Sequence, residues 1–123
     1  MEILIYYPSD TEPKIRHFDG PLLLGAQQAV GDQAEAVPGF SSISRNGIIF
    51  QCAAYCDGAG KQSGLPVNAW ATALWHSALK REGYERGLRR REGTVIDWLV
   101  GNIAVVCSSE TIQPIFVAVR AAE

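Results

Sequence analysis

With only two histidines, one methionine and three cysteines in 123 residues, the chain has few of the side chains that most enzymes and metal proteins depend on. Nucleophilic catalysis needs a general base beside a serine or cysteine, and only His17 and His76 are available. His17 alternates with apolar neighbours and His76 falls on the polar side of a predicted helix, so surface or satisfied structural roles are expected for both. Cys52, Cys56 and Cys107 make an odd count without the spacing of a disulfide framework, which points to reduced thiols serving as small apolar side chains. On one extended strand Cys52 and Cys56 share a face but lie roughly 13 Å apart, too far to share a zinc bound at about 2 Å. No metal site and no cofactor is therefore expected.

The sequence also lacks a long hydrophobic run. The apolar opening Met1 to Tyr7 is shorter than a signal peptide, has no basic leader and is cut by Pro8. A cytoplasmic protein without membrane attachment is the expectation. There is no internal repeat and no low-complexity tract. What is present is a globular balance: 47% hydrophobic and 20% charged residues, enough for one domain with its own core. The net charge of −2 is unevenly spread, because Lys80 to Glu92 holds six basic and three acidic residues and so carries +3, leaving −5 elsewhere. A basic patch on an acidic body can attract an anionic partner, yet the overall field repels long polyanions and argues against a general DNA-coating protein.

Residues 2–7 read as a buried strand and 13–18 as its hairpin partner across a turn-rich link. Asp19 is placed to cap a helix over about 20–30, with Pro21 in its first turn, Leu22, Leu23, Ala26 and Ala29/Val30 on one face, and Gly31 closing it. A short strand at 33–37 leads into a loop carrying Ser41, Ser42 and Ser44. Asn46-Gly47 signals a tight turn before a strand over 48–55, and the strands at 33–37 and 48–55 are expected to pair. Val67, Trp70, Ala71, Leu74, Trp75 and Ala78 recur at helical spacing, predicting a helix over about 66–81 with Asn68, Thr72, His76 and Lys80 on its other side. Residues 95–107 are dense in β-branched side chains and predict a central strand kinked at Gly101-Asn102. Residues 109–123 fit either a helix or a strand. The fold class is α+β, a small mixed or antiparallel sheet with two helices packed on it, in a single domain over 1–123.

Two segments stand out as candidate contacts. Gly60-Lys61-Gln62-Ser63-Gly64 lies between a strand and a helix, where glycines let backbone amides face an anion. It is not a nucleoside-triphosphatase loop, since Tyr55 stands where that pattern needs glycine and Gln62 where it needs serine or threonine. Lys61 and Ser63 are the residues to test there. The second segment holds Arg89, Arg90 and Arg91 with Tyr84 nearby, able to bind phosphate bidentately and to stack. No pair of carboxylates is selected as acid and base: Asp57 sits in a turn, Asp97 near a strand, and Glu82, Glu85 and Glu92 among arginines.

Taken in order, His17-Phe18-Asp19-Gly20, Val30-Gly31, Glu35-Ala36-Val37-Pro38, Gly60-Lys61, Gly64-Leu65-Pro66-Val67-Asn68-Ala69 and Ile96-Asp97-Trp98-Leu99-Val100-Gly101-Asn102 resemble the family known as domain of unknown function 3846. The likeness covers about four-fifths of the chain. It implies a compact α+β domain carried by bacterial phages and mobile elements, with no activity or catalytic residues to carry over. Residues 76–93 depart from the family pattern as a basic insertion. The expected function is that of a non-enzymatic binding protein acting on a host protein or an anionic, nucleotide-like ligand, in a role such as counter-defence. The alternative is a nucleic-acid-binding accessory module using the basic 80–91 segment.

Overall fold

A computed structural model describes residues 1–83 and 97–114 of the chain. Its centre is an antiparallel sheet whose main path runs β2 (Lys14–His17), β1 (Glu2–Tyr6), β6 (Ile103–Pro114), β5 (Ile48–Asp57), β3 (Ala34–Ala36), with β4 (Ser42–Arg45) also paired to β5. The sheet is covered on both faces, which explains why its inner strands are continuously apolar rather than alternating. In β1, Leu4 and Tyr6 join one core cluster while Ile3 and Ile5 join the other. Helix α2 (Ala69–Arg81) packs on the first face through Ala71, Trp75, Ala78 and Leu79. Helix α1 (Leu22–Val30) covers the second through Ala29. The fully enclosed Ile103 and Val105 of the central strand contribute about 1.5–3 kcal/mol each by burial. None of the described helices is long and apolar enough to cross a membrane.

The opening hairpin forms as the sequence indicates, with Glu2 opposite His17 and Ile5 opposite Lys14. Strand β2 is exposed along its length, and its charged side chains guard the sheet edge. The α1 cap differs from expectation. Pro21 takes the N-cap position without a side-chain hydrogen bond, while Asp19 turns aside to pair with His17 at 3.2 Å. The expected face holds at Ala26 and Ala29, which are buried together with Gly25, whereas Leu23 is 54% exposed. Close approach is the reason: a Cβ on Gly25 would lie 2.7 Å from Ile3 Cδ1, so only a small-residue stripe lets this helix settle on β1.

Strand β3 pairs with β5 as expected, Ala34 opposite Asp57. The serine segment, however, is a strand rather than a loop. Asn46 and Gly47 both have positive φ, 52° and 77°, the twist of a two-residue hairpin turn, and they fold β4 back on β5 with Ser42 opposite Gln51. Helix α2 starts three residues later than its apolar spacing suggests, because Val67 bridges to Val100 and Asn68 becomes the cap. The expected kink at Gly101-Asn102 is a break: Gly101 has φ 70° and β6 begins only at Ile103. That strand then continues to Pro114, which makes the first part of the ambiguous C-terminal stretch a strand. Gly101→Ala is expected to cost about 1–3 kcal/mol, since an L side chain is strained at this φ and its Cβ would meet Leu65 Cδ1 at 2.7 Å. Thermal unfolding checks this.

Candidate functional site

The site is built where the turn after β5 meets the segment before β6. Asp57 ends β5 and its Oδ1 accepts from the Ala59 amide at 2.9 Å, starting a tightly wound turn. Within it the amides of Gly60, Ser63 and Leu65 donate to the carbonyls of Asp57, Ala59 and Gly60 at 3.0, 2.9 and 3.0 Å. The amides expected to cradle an anion are thus already used by the turn itself. Ser63 is exposed on this turn, and Lys61 projects from it towards the 97–102 segment.

That segment is pinned by α2 and its leading residues. The Leu99 amide donates to Thr72 Oγ1 at 2.9 Å, and the Asn68 amide to the Leu99 carbonyl at 2.8 Å. The Gly101 amide donates to the Pro66 carbonyl at 2.8 Å. His76 Nε2 lies 2.9 Å from the Asp97 carbonyl oxygen; a carbonyl can only accept, so the proton is on Nε2 and His76 positions Asp97. Beneath, Asn68 is wholly enclosed at 0% exposure. Its Oδ1 accepts from the Ala71 amide at 3.1 Å, and its Nδ2 donates to the carbonyls of Tyr6 and Gly101 at 2.9 Å each. One side chain therefore caps α2 and ties β1 to the 97–102 segment.

Held in this way, Asp97 Oδ1 accepts from both the Trp98 amide, at 2.8 Å, and the Lys61 ammonium. The same ammonium sits 4.5 Å from the centroid of the Trp98 ring, a cation–π distance. Trp98 is 43% exposed, so the side chain lies at the surface rather than in the core. The group forms one wall of a 160 Å³ cleft that Glu35, Cys56, Asp57 and Trp75 also line. Among the described residues that line the cleft, acidic side chains outnumber basic ones by three, Glu35, Asp57 and Asp97, to one, Lys61. The Cys56 thiol is pushed up to about 11 by burial first and then by Glu35 and Asp57, the reverse of the activation a nucleophilic cysteine needs.

Of the residues singled out in the sequence, Lys61 is in this site. Tyr84, Arg89, Arg90 and Arg91 lie outside the described residues, as does the basic insertion beyond Gly83. Arg81, at the end of α2, donates from Nε to Ser42 Oγ at 2.9 Å, and burial lowers its pKa. Among the described residues no group of three histidine, cysteine or acidic side chains could hold a metal. Sequence reasoning missed the partnership of Asp97 and Trp98 with Lys61, since 36 residues separate Lys61 from Asp97 and no local spacing signals the contact. The available signal was an acidic and an aromatic residue, side by side, opening an otherwise aliphatic stretch.

No protein-family model, curated protein or solved structure matches the chain. The class defined by the fold is α+β, a six-stranded antiparallel sheet with two helices, carrying an acidic, aromatic cleft at one end of β5.

Proposed function

We propose that this protein is a non-catalytic binding module that docks a cationic side chain, lysine or arginine, of a partner protein in the cleft beside Trp98. The observation that carries the reading is the position of Lys61: an ammonium already rests on the Trp98 ring and on Asp97, as a partner's cation would. Lys61 is the internal stand-in, about half exposed at 51% and so readily displaced. Size favours this over a nucleotide-like ligand. Small-molecule sites span roughly 300–1,000 Å³, whereas this cleft of 160 Å³ accommodates the tip of one side chain. Charge favours it as well, because among the described lining residues three acidic side chains against one lysine disfavour phosphate. In the phage or mobile-element setting that the family resemblance implies, the partner would be a host protein and counter-defence a fitting role.

The test is a titration followed by the indole N–H resonances of Trp70, Trp75 and Trp98, using a short capped peptide with one arginine, its glutamate counterpart and ATP. The arginine peptide should shift the Trp98 resonance saturably, with a Kd of about 1 mM as befits a single side chain, and Trp98→Ala should weaken binding about tenfold, the loss of one cation–π contact. Saturable ATP binding at Lys61 with no response to the arginine peptide would reject the proposal in favour of an anion site.

A further inference from the structure

Cys52 and Cys107 are far apart in sequence but face each other directly across β5 and β6. The register is continuous from Cys52 onward, with Cys52 opposite Cys107, Ala53 opposite Val106, Ala54 opposite Val105 and Tyr55 opposite Ala104, and an irregularity between Phe50 and Cys52 ends it on the other side. Cys52 Sγ lies 3.7 Å from the Phe40 carbonyl oxygen, a contact that closure onto Cys107 would give up. Cys52 directs its amide away from β6, donating to the Ser41 carbonyl at 2.9 Å on the β4 side. In an antiparallel ladder a residue's N–H and C=O point to the same neighbour, so Cys52 and Cys107 form a non-hydrogen-bonded pair. Such pairs have Cα atoms about 4.5 Å apart and their side chains at closest approach, inside the roughly 4.4–6.8 Å window of disulfides. Both side chains pack on the α2 side of the sheet, against the Leu4, Tyr6 and Ile103 cluster. Both are only partly buried, and Cys107 lines a shallow depression with Leu4, Arg45 and Phe50, which gives a small reagent access from that side. Cys56, four residues along β5, is opposite Glu35 instead and lines the separate cleft.

We infer that Cys52 and Cys107 are a redox pair that closes to a cross-strand disulfide on reaction with a low-molecular-weight disulfide such as oxidised glutathione. Burial raises both thiols, Cys52 to about 12 and Cys107 with Arg45 acting in opposition, which makes exchange slow near neutral pH. The alignment of the pair, not an activated thiol, favours closure, and Cys107 is taken as the first to react. Its thiolate attacks one sulfur of the small disulfide, forming a mixed disulfide and releasing one small thiol. The Cys52 thiol then gives up its proton and attacks the Cys107 sulfur, expelling the second small thiol. The protein loses two electrons and two protons, and one small disulfide becomes two thiols. The new bond closes a loop over residues 53–106, which contains the 57–65 turn, α2, Asp97 and Trp98, so oxidation staples β6 to β5, the strand that carries Cys56 and Asp57 into the cleft.

The experiment treats the full chain with oxidised glutathione at pH 8.5 overnight. The product is unfolded in iodoacetamide, and its alkylated thiols are counted by mass spectrometry beside a non-reducing gel and a melting curve. The expected product is a monomer with one alkylated thiol, at Cys56, and a proteolytic fragment linking Cys52 to Cys107. Its Tm should be higher by about 10 °C, as for a disulfide closing a loop of this length, and dithiothreitol should reverse the rise. Cys56→Ser should oxidise in the same way with no alkylated thiol left, whereas Cys52→Ser should stop at a glutathione adduct on Cys107. Three alkylated thiols after treatment, a product linked through Cys56, or glutathione left on both Cys52 and Cys107 would overturn the inference.

Discussion

Asn68→Ala is expected to remove at least about 3 kcal/mol of folding stability, a large effect for a single polar substitution. Asn68 is 0% exposed and satisfies three separate backbone groups: the Ala71 amide at the start of α2 and the carbonyls of Tyr6 and Gly101. Losing the cap costs about 1 kcal/mol. Each buried carbonyl left without its donor costs a further 1–3 kcal/mol or so. A domain of this size has a total stability of roughly 5–15 kcal/mol, so the variant loses a large share of it. Asn68→Asp should be worse than its near-identical shape suggests, because a carboxylate keeps the cap but confronts two carbonyl oxygens with a third acceptor. Urea unfolding measures both; a loss under 1 kcal/mol for Asn68→Ala would show that water replaces the side chain and that the tie is dispensable.

Trp75→Ala is expected to cost about 3–5 kcal/mol, the range for truncating a buried tryptophan. Trp75 is 4% exposed and is the one tryptophan in the core, whereas Trp70 and Trp98 are 42% and 43% exposed. Its Nε1 donates to the Pro38 carbonyl at 2.9 Å, fixing α2 against the connection between β3 and β4. Trp75→Phe separates the two contributions: the ring area is mostly kept, the Pro38 carbonyl loses its donor, and a loss of about 1–2 kcal/mol is expected. Since Trp75 and Pro38 both line the cleft, the phenylalanine variant should also weaken arginine-peptide binding while the fold persists. Equal stability of the alanine and phenylalanine variants would show that packing contributes little there.

Much of this architecture is legible in the sequence because its signals are local. The apolar run 2–7, the Asn46-Gly47 turn and the helical spacing from Ala71 to Ala78 each specify an element within a few residues. The errors arise where a distant neighbour decides. Leu23 belongs to the apolar stripe of α1 on a helical wheel, yet Ile3 and Phe18 approach Gly25 so closely that the small residues take the sheet face. Ser42 reads as loop until β5 is there to pair with it, and it is then buried at 1%. Asn68 looks like one of the polar residues of α2 and is in fact its most enclosed. The site follows the same rule: Lys61 was visible as a lone cation in a turn, but Asp97 and Trp98, which give that cation its role, come from the far side of α2. The cross-strand cysteine pair depends in turn on the register of β5 with β6, which no spacing within either strand contains.

The direction in which Lys61→Ala changes the affinity for the capped arginine peptide bears most directly on the role assigned to the cleft. If Lys61 is the internal occupant of a cation site, its removal frees Trp98 and Asp97, and binding should tighten about three- to tenfold, the equivalent of one exposed cation–π contact and a weak ion pair. If Lys61 is instead the ligand-binding residue of an anion site, the same variant should bind the arginine peptide no better than the natural chain and should lose affinity for ATP, and that result would contradict the account.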